Sequence, residues 1–119
     1  ENDRSILAES FRILRTNVNY LLHNKKEGIA PVIYVTSTIK GEGKTFTSLN
    51  LAMVLATMEK TVLLVGSDLR NPQLHSYTDL DKENKGLSNY LYDLNIQWKD
   101  LIIKNQFEQN YCLMVVLLI

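Results

Sequence analysis

The chain has 119 residues and carries 13 basic and 13 acidic side chains, so its formal net charge is zero. An apolar fraction of 45% with 22% charged residues is that of a folded globular domain and excludes a disordered tail. The charge balance gives no general attraction to nucleic acid or to an anionic membrane, and no nucleic-acid partner is expected. Cys112 is the only cysteine, which excludes an internal disulfide and fits a reducing compartment. The longest strongly apolar run, 112–119, is far short of the ~20 residues of a membrane-spanning helix. The N-terminus carries no signal-peptide pattern.

Residues 4–22 predict an amphipathic helix, because Leu7, Phe11, Leu14, Val18 and Leu21 recur at steps of four and three. Asp3 or Ser5 is the expected cap. A polar break at 23–28 ends in glycine. "PVIYVTS", 31–37, is β-branched and aromatic and predicts a buried strand. A glycine loop follows. "TFTSLNLAMVLATME", 45–59, is apolar nearly all round and predicts a buried helix. "TVLLV", 61–65, is the next strand, completing a βαβ unit and hence a parallel sheet.

Residues 70–86 are polar and turn-rich and read as an exposed loop. "GLSNYLYDL", 86–94, predicts a short helix with Leu87, Tyr90, Leu91 and Leu94 on one side. "WKDLIIK", 98–104, fits a short helix or a strand equally well. The run "CLMVVLLI", 112–119, reads as a parallel strand, and such a strand needs cover on both faces. With that need unmet, and with a start on a helical pattern without an initiator Met, the chain is expected to be the first part of a longer domain.

The loop "TSTIKGEGKT", 36–45, lies between a predicted strand and a predicted helix. A phosphate loop aims backbone N–H groups and a helix N-terminus at anionic oxygens. Glycines allow close approach, a lysine neutralises terminal phosphate charge, and a Ser/Thr hydroxyl ligates Mg²⁺. Gly41, Gly43, Lys44 and Thr45 supply these parts. The usual first glycine is replaced by Thr38, and Lys40 precedes Gly41. The bland alternative is a glycine turn with a solvated lysine. "VLLVGSDLRNP", 62–72, leaves the second strand at its carboxyl end, where parallel sheets bind ligands. Asp68 there is a candidate Mg²⁺ partner or proton acceptor, or else a turn aspartate. Arg70 is suited either to contacting phosphate or to orienting the loop, and Pro72 stiffens it.

Three motifs together resemble the bacterial protein-tyrosine kinases of polysaccharide synthesis and export, within the deviant phosphate-loop ATPases. They are "TSTIKGEGKT", "VLLVGSDLRNPQLH" and "ESFRILR" with Glu9, Arg12 and Arg15. The second lysine upstream, Lys40, is the mark of the deviant loop. The resemblance implies an α/β three-layer P-loop NTPase fold with a parallel sheet, of which residues 1–119 form one domain, its N-terminal part. It implies ATP or ADP with Mg²⁺ as cofactors. The expected nucleotide contacts are Lys40, Gly41, Glu42, Gly43, Lys44, Thr45 and Phe46. Lys44 and Asp68 are the expected catalytic residues, and Thr45 and Asp68 the expected metal ligands.

Glu9, Arg12 and Arg15 on the 4–22 helix are expected to build an interface with neighbouring subunits of a ring-forming homo-oligomer. On a wheel of about 100° per residue they are expected on a flank turned away from the apolar stripe. Further implied partners are a membrane-spanning adaptor or fused transmembrane region and a cognate tyrosine phosphatase. The implied location is cytoplasmic, at the inner face of the bacterial plasma membrane. The substrate would be clustered tyrosines, phosphorylated between subunits.

Departures from the family pattern raise alternatives. Gly66 stands where the family has the first aspartate of Asp-x-Asp, which is thought to act there as base or Mg²⁺ partner. "YCLMVVLLI" ends without the aspartate of a third nucleotide motif, and the six tyrosines are scattered. A kinase-dead nucleotide-binding assembly module is one alternative, and a partitioning-type ATPase, suggested by Lys40, is another. A third is an interaction domain with a mere glycine turn.

Overall fold

The computed structural model describes residues 2–23, 28–58, 60–77, 85–103 and 114–118. Helix α1 spans Asn2–Leu21, without a glycine or proline to interrupt it. Asp3 and Ser5 therefore lie inside its first turn rather than capping it. Phe11 is buried, and Leu14, Val18 and Leu22 pack against the core. Leu21 was expected in the stripe but is 78% exposed. Leu22, four residues after Val18, takes the inward place that a three-residue step would have given Leu21.

Strands β1 (Val32–Val35), β2 (Val62–Gly66) and β3 (Met114–Leu118) form a three-stranded sheet in the order β1-β3-β2. Both pairings are parallel. The βαβ expectation therefore holds in direction, but β1 and β2 are not neighbours. The last apolar run is the central strand, between them. Neighbouring parallel strands need not be consecutive, because each crossover can leave a gap for a later strand.

Helix α2 (Lys44–Ala56) joins β1 to β2 and lies against the sheet. Leu51 and Leu55 form the core, with Leu14, Val18 and Leu22 on one side and Ile33, Val54 and Val62 around them. Ser48 is fully buried, and its hydroxyl donates to the Lys44 carbonyl at 2.8 Å, which satisfies its polarity. The helix is not buried all round, since Phe46 and Met53 remain exposed. In β1, Ile33 faces α2 whereas Val32 and Tyr34 alternate outward and are exposed. The described residues thus form a sheet with α2 on one face and α1 packed on α2.

After β2, a 3₁₀ turn at Leu74–Tyr77 leads to residues 78–84, where the rest of the expected exposed loop lies outside the described residues. Helix α3 is short, Leu87–Tyr92. Its expected apolar side is not buried: Leu91 is 61% and Leu94 92% exposed. The segment read as helix or strand is a 3₁₀ turn, Trp98–Leu101. Cys112 and Tyr111 lie outside the described residues.

Candidate nucleotide-binding site

The register of the sheet fixes where the two loops emerge. Leu118 is opposite Val35 on one side and Gly66 on the other. The glycine loop after β1 and the Ser67–Asp68 turn after β2 therefore leave the same edge, with one strand between them. Two strand spacings put the strand ends about 10 Å apart, a distance suited to two sides of a phosphate-metal site.

The loop turns sharply at Gly41, with φ 90°, and Gly43, with φ 88°. This left-handed region is costly for other residues. Open space lies where a Cβ would project at either position, with nothing within 4 Å. Gly43 is the N-cap of α2 and offers no side-chain hydrogen bond, and the first turn holds no acidic residue. The first N–H groups of α2 therefore lack a side-chain acceptor, and the positive end of the helix dipole is unneutralised. Gly43 carbonyl accepts from the Thr47 N–H at 2.8 Å, which fixes the start of the helix. A bare helix N-terminus under open space is what a phosphate group fits.

The cationic groups of Lys40 and Lys44 have no acidic partner among the described residues. The Thr45 hydroxyl is half-buried and likewise makes no hydrogen bond among them. Asp68 is half-buried, and its Oδ1 accepts the Asn71 N–H at 3.1 Å. One oxygen thus holds the turn, as the bland reading of this aspartate requires. Its Oδ2 has no hydrogen bond among the described residues and remains able to face a cation. Arg70 and Pro72 are exposed. No group of three or more His, Cys, Asp or Glu among the described residues is able to hold a metal by itself.

Glu42 and Phe46 touch the site differently from what the motif suggests. The Glu42 carboxylate turns back along the loop and accepts from the Thr38 N–H at 3.0 Å and the Ile39 N–H at 3.3 Å. Phe46 sends its ring to Phe11 of α1, edge to face, with centroids 6.0 Å apart. Phe46 is therefore placed to offer its backbone, not its ring, to a ligand. The tie between α1 and the first turn of α2 was not legible in the sequence, because nothing local pairs residues 11 and 46.

The charged flank of α1 divides in two. Glu9 and Arg12 are exposed and pair with each other at 3.0 Å. Arg15 does not face outward. It is half-buried, and its Nη1 donates to the Thr57 hydroxyl at 2.9 Å and the Val54 carbonyl at 3.4 Å. On a wheel of about 100° per residue it lies only about 40° from Phe11, so it reaches the C-terminal end of α2. A cation there satisfies a terminal carbonyl and complements the helix dipole. Lys60 Nζ donates to Asn19 Oδ1 at 2.9 Å just beyond. Arg15→Ala is therefore expected to lower stability by about 1 kcal/mol, read as a lower urea midpoint. Arg12→Ala, which breaks only an exposed pair, is expected to change it by less than about 0.5 kcal/mol.

The AAA domain family model matches residues 30–117, from β1 almost to the end of β3. The chain is 37% identical over 73 residues to the tyrosine-protein kinase YwqD of Bacillus subtilis, covering 61% of this chain and 30% of that protein. It is 35% identical over 83 residues to the tyrosine-protein kinase ptk of Acinetobacter johnsonii, covering 70% of this chain and 11% of that one. With the tyrosine-protein kinase etk of Escherichia coli K12 it shares 32% over 91 residues, 76% of this chain and 12% of that one. The chain thus spans a third or less of the length of these relatives. No solved structure shows a significant match. The chain belongs to the AAA domain family, among the relatives of the bacterial tyrosine-protein kinases.

Proposed function

We propose that this chain is the nucleotide-binding part of a bacterial tyrosine autokinase that controls polysaccharide chain length or export. The observation that carries the reading is the open cradle of Gly41 and Gly43 under a bare α2 N-terminus, flanked by Lys40 and Lys44 without acidic partners. These residues fit a nucleotide phosphate. Lys44, assisted by Lys40, would neutralise terminal phosphate charge. The backbone of Glu42, Gly43, Thr45 and Phe46 would bind phosphate oxygens. Thr45 and Asp68 would hold Mg²⁺, which supplies charge neutralisation across the phosphates when bound. Little covalent work falls to the protein in such a transfer; positioning and electrostatics carry it.

The full three-layer domain, ring assembly, a membrane-spanning adaptor, a phosphatase partner and a place at the inner face of the plasma membrane belong to the same proposal. No helix among the described residues is long and apolar enough to cross a membrane, so membrane attachment would come through such a partner or a fused segment. The outward face of α1 supports an interface: Ile6, Ile13 and Tyr20 are exposed at seven-residue steps beside the Glu9–Arg12 pair. Arg15, which holds α2, would support that surface from within.

Incubating the full chain with γ-labelled ATP tests the reading. Phosphotyrosine is expected, and is expected to vanish in Lys44→Ala. Nucleotide binding without any tyrosine label would instead establish the kinase-dead alternative, which Gly66 favours. The structure makes that alternative testable from the other side. A Cβ at Gly66 would meet Leu74 at 3.5 and 3.7 Å, an ordinary contact. Gly66→Asp is thus expected to fold, with a stability change within about 1 kcal/mol, and to raise phosphotyrosine formation by adding a carboxylate at the rim. Unchanged labelling would remove Gly66 as the cause of any weak activity.

A further inference from the structure

We propose that Glu42 is a positioning residue for the nucleotide, a brace whose carboxylate ties the two limbs of the phosphate loop together. The inference rests on the nucleotide-binding reading and says how the cradle is kept in shape. One limb leaves β1 through Thr38 and Ile39, and the other enters α2 through Gly43. Oε2 of Glu42 accepts the Thr38 N–H at 3.0 Å and the Ile39 N–H at 3.3 Å, and Oε1 accepts the Thr38 hydroxyl at 3.3 Å. Ser37 Oγ donates to the Ile39 carbonyl at 3.0 Å, which steadies the same limb. Lys40 and Gly41 sit at the tip of the ring so closed.

The brace uses donors that a phosphate on α2 does not need. Its N–H partners come from the β1 limb, whereas the unpaired donors lie in the first turn of α2. Without the brace, two glycines in left-handed conformation would leave the loop free to sample many shapes, and ordering it would be charged against binding. The Ile39 N–H above all holds the Glu42 carboxyl below its usual range; desolvation opposes it, and the Thr38 N–H with the Thr38 and Ser37 hydroxyls adds to the lowering. A depressed carboxylate pKa means the bonds are complete at neutral pH and are lost only as pH falls through that lowered value.

A carboxylate beside a phosphate site has an opposite potential effect, since it repels the ligand. The sign of the mutant's effect therefore decides. Titration of the full chain with ADP·Mg²⁺ is expected to show about tenfold weaker binding for Glu42→Ala, with slower association because the loop must order first. Glu42→Gln keeps a neutral acceptor at the same reach and is expected to fall between Glu42→Ala and the parent chain. The urea midpoint without nucleotide is expected to stay near that of the parent, because Glu42 is exposed. Equal or tighter ADP binding by both Glu42 variants, with binding lost in Lys44→Ala, would overturn the brace alone. Undiminished binding by Lys44→Ala would overturn the nucleotide reading and the brace with it.

Discussion

Lys44→Ala is expected to weaken ATP·Mg²⁺ binding by about ten- to a hundredfold. A charge-assisted hydrogen bond contributes about 1.5–3 kcal/mol, and each 1.4 kcal/mol is about tenfold in affinity. The residue opens α2 directly after the left-handed Gly43, so its ammonium and its backbone N–H would address the same anion in the proposed site. In the free protein the ammonium has no acidic partner among the described residues. Its removal should therefore leave the apo protein's stability within about 0.5 kcal/mol of the parent. Thermal melts with and without nucleotide check both halves. The parent should gain about 2.7 kcal/mol at a ligand concentration near one hundred times Kd, and the variant should lose most of that gain at the same concentration.

Leu55→Ala should have the largest effect on folding, a loss of about 2–5 kcal/mol. Leu55 is 0% exposed and Leu51 3%, and together they receive α1 on one side and Ile33 and Val62 of the sheet on the other. Truncation leaves a cavity at the junction of all three, where rigid neighbours cannot collapse freely. In a domain whose whole stability is about 5–15 kcal/mol, such a loss should move the urea midpoint far. Leu94→Ala is the control: it lies after α3 and is 92% exposed, so a change within about 0.5 kcal/mol is expected. Nucleotide should partly restore the Leu55→Ala protein, because the phosphate loop and the core share α2.

Sequence patterns were most informative where the chemistry is local. "KGEGKT" between an apolar strand and an apolar helix specified the glycine loop and the start of α2, because glycine conformations and the helix start depend on neighbours in the chain. The spacing of Phe11, Leu14 and Val18 specified α1 and most of its buried face. The reading was poorer at Leu21 against Leu22, where one residue of phase decides which leucine faces α2. It was poorer again for α3, where Tyr90, Leu91 and Leu94 of the expected apolar side stand exposed and only Leu87 is half-buried.

The sequence by itself determined the helices, the strands, the glycine loop and the kinship to kinase sequences, since each is written in short runs with their own periodicity or motif. Tertiary structure alone decided the rest. It placed β3 between β1 and β2, which puts Asp68 on the phosphate loop's edge at a distance of two strands. It turned Arg15 inward onto Val54 and Thr57, residues far along the chain that no pattern pairs with it. It also folded the Glu42 carboxylate back onto the N–H groups of Thr38 and Ile39, a contact set by the conformation of the loop. For β3 and Arg15 the deciding interaction joins groups far apart in the sequence, whose separation is set by packing; for Glu42 it joins near neighbours, and the fold of the loop decides it.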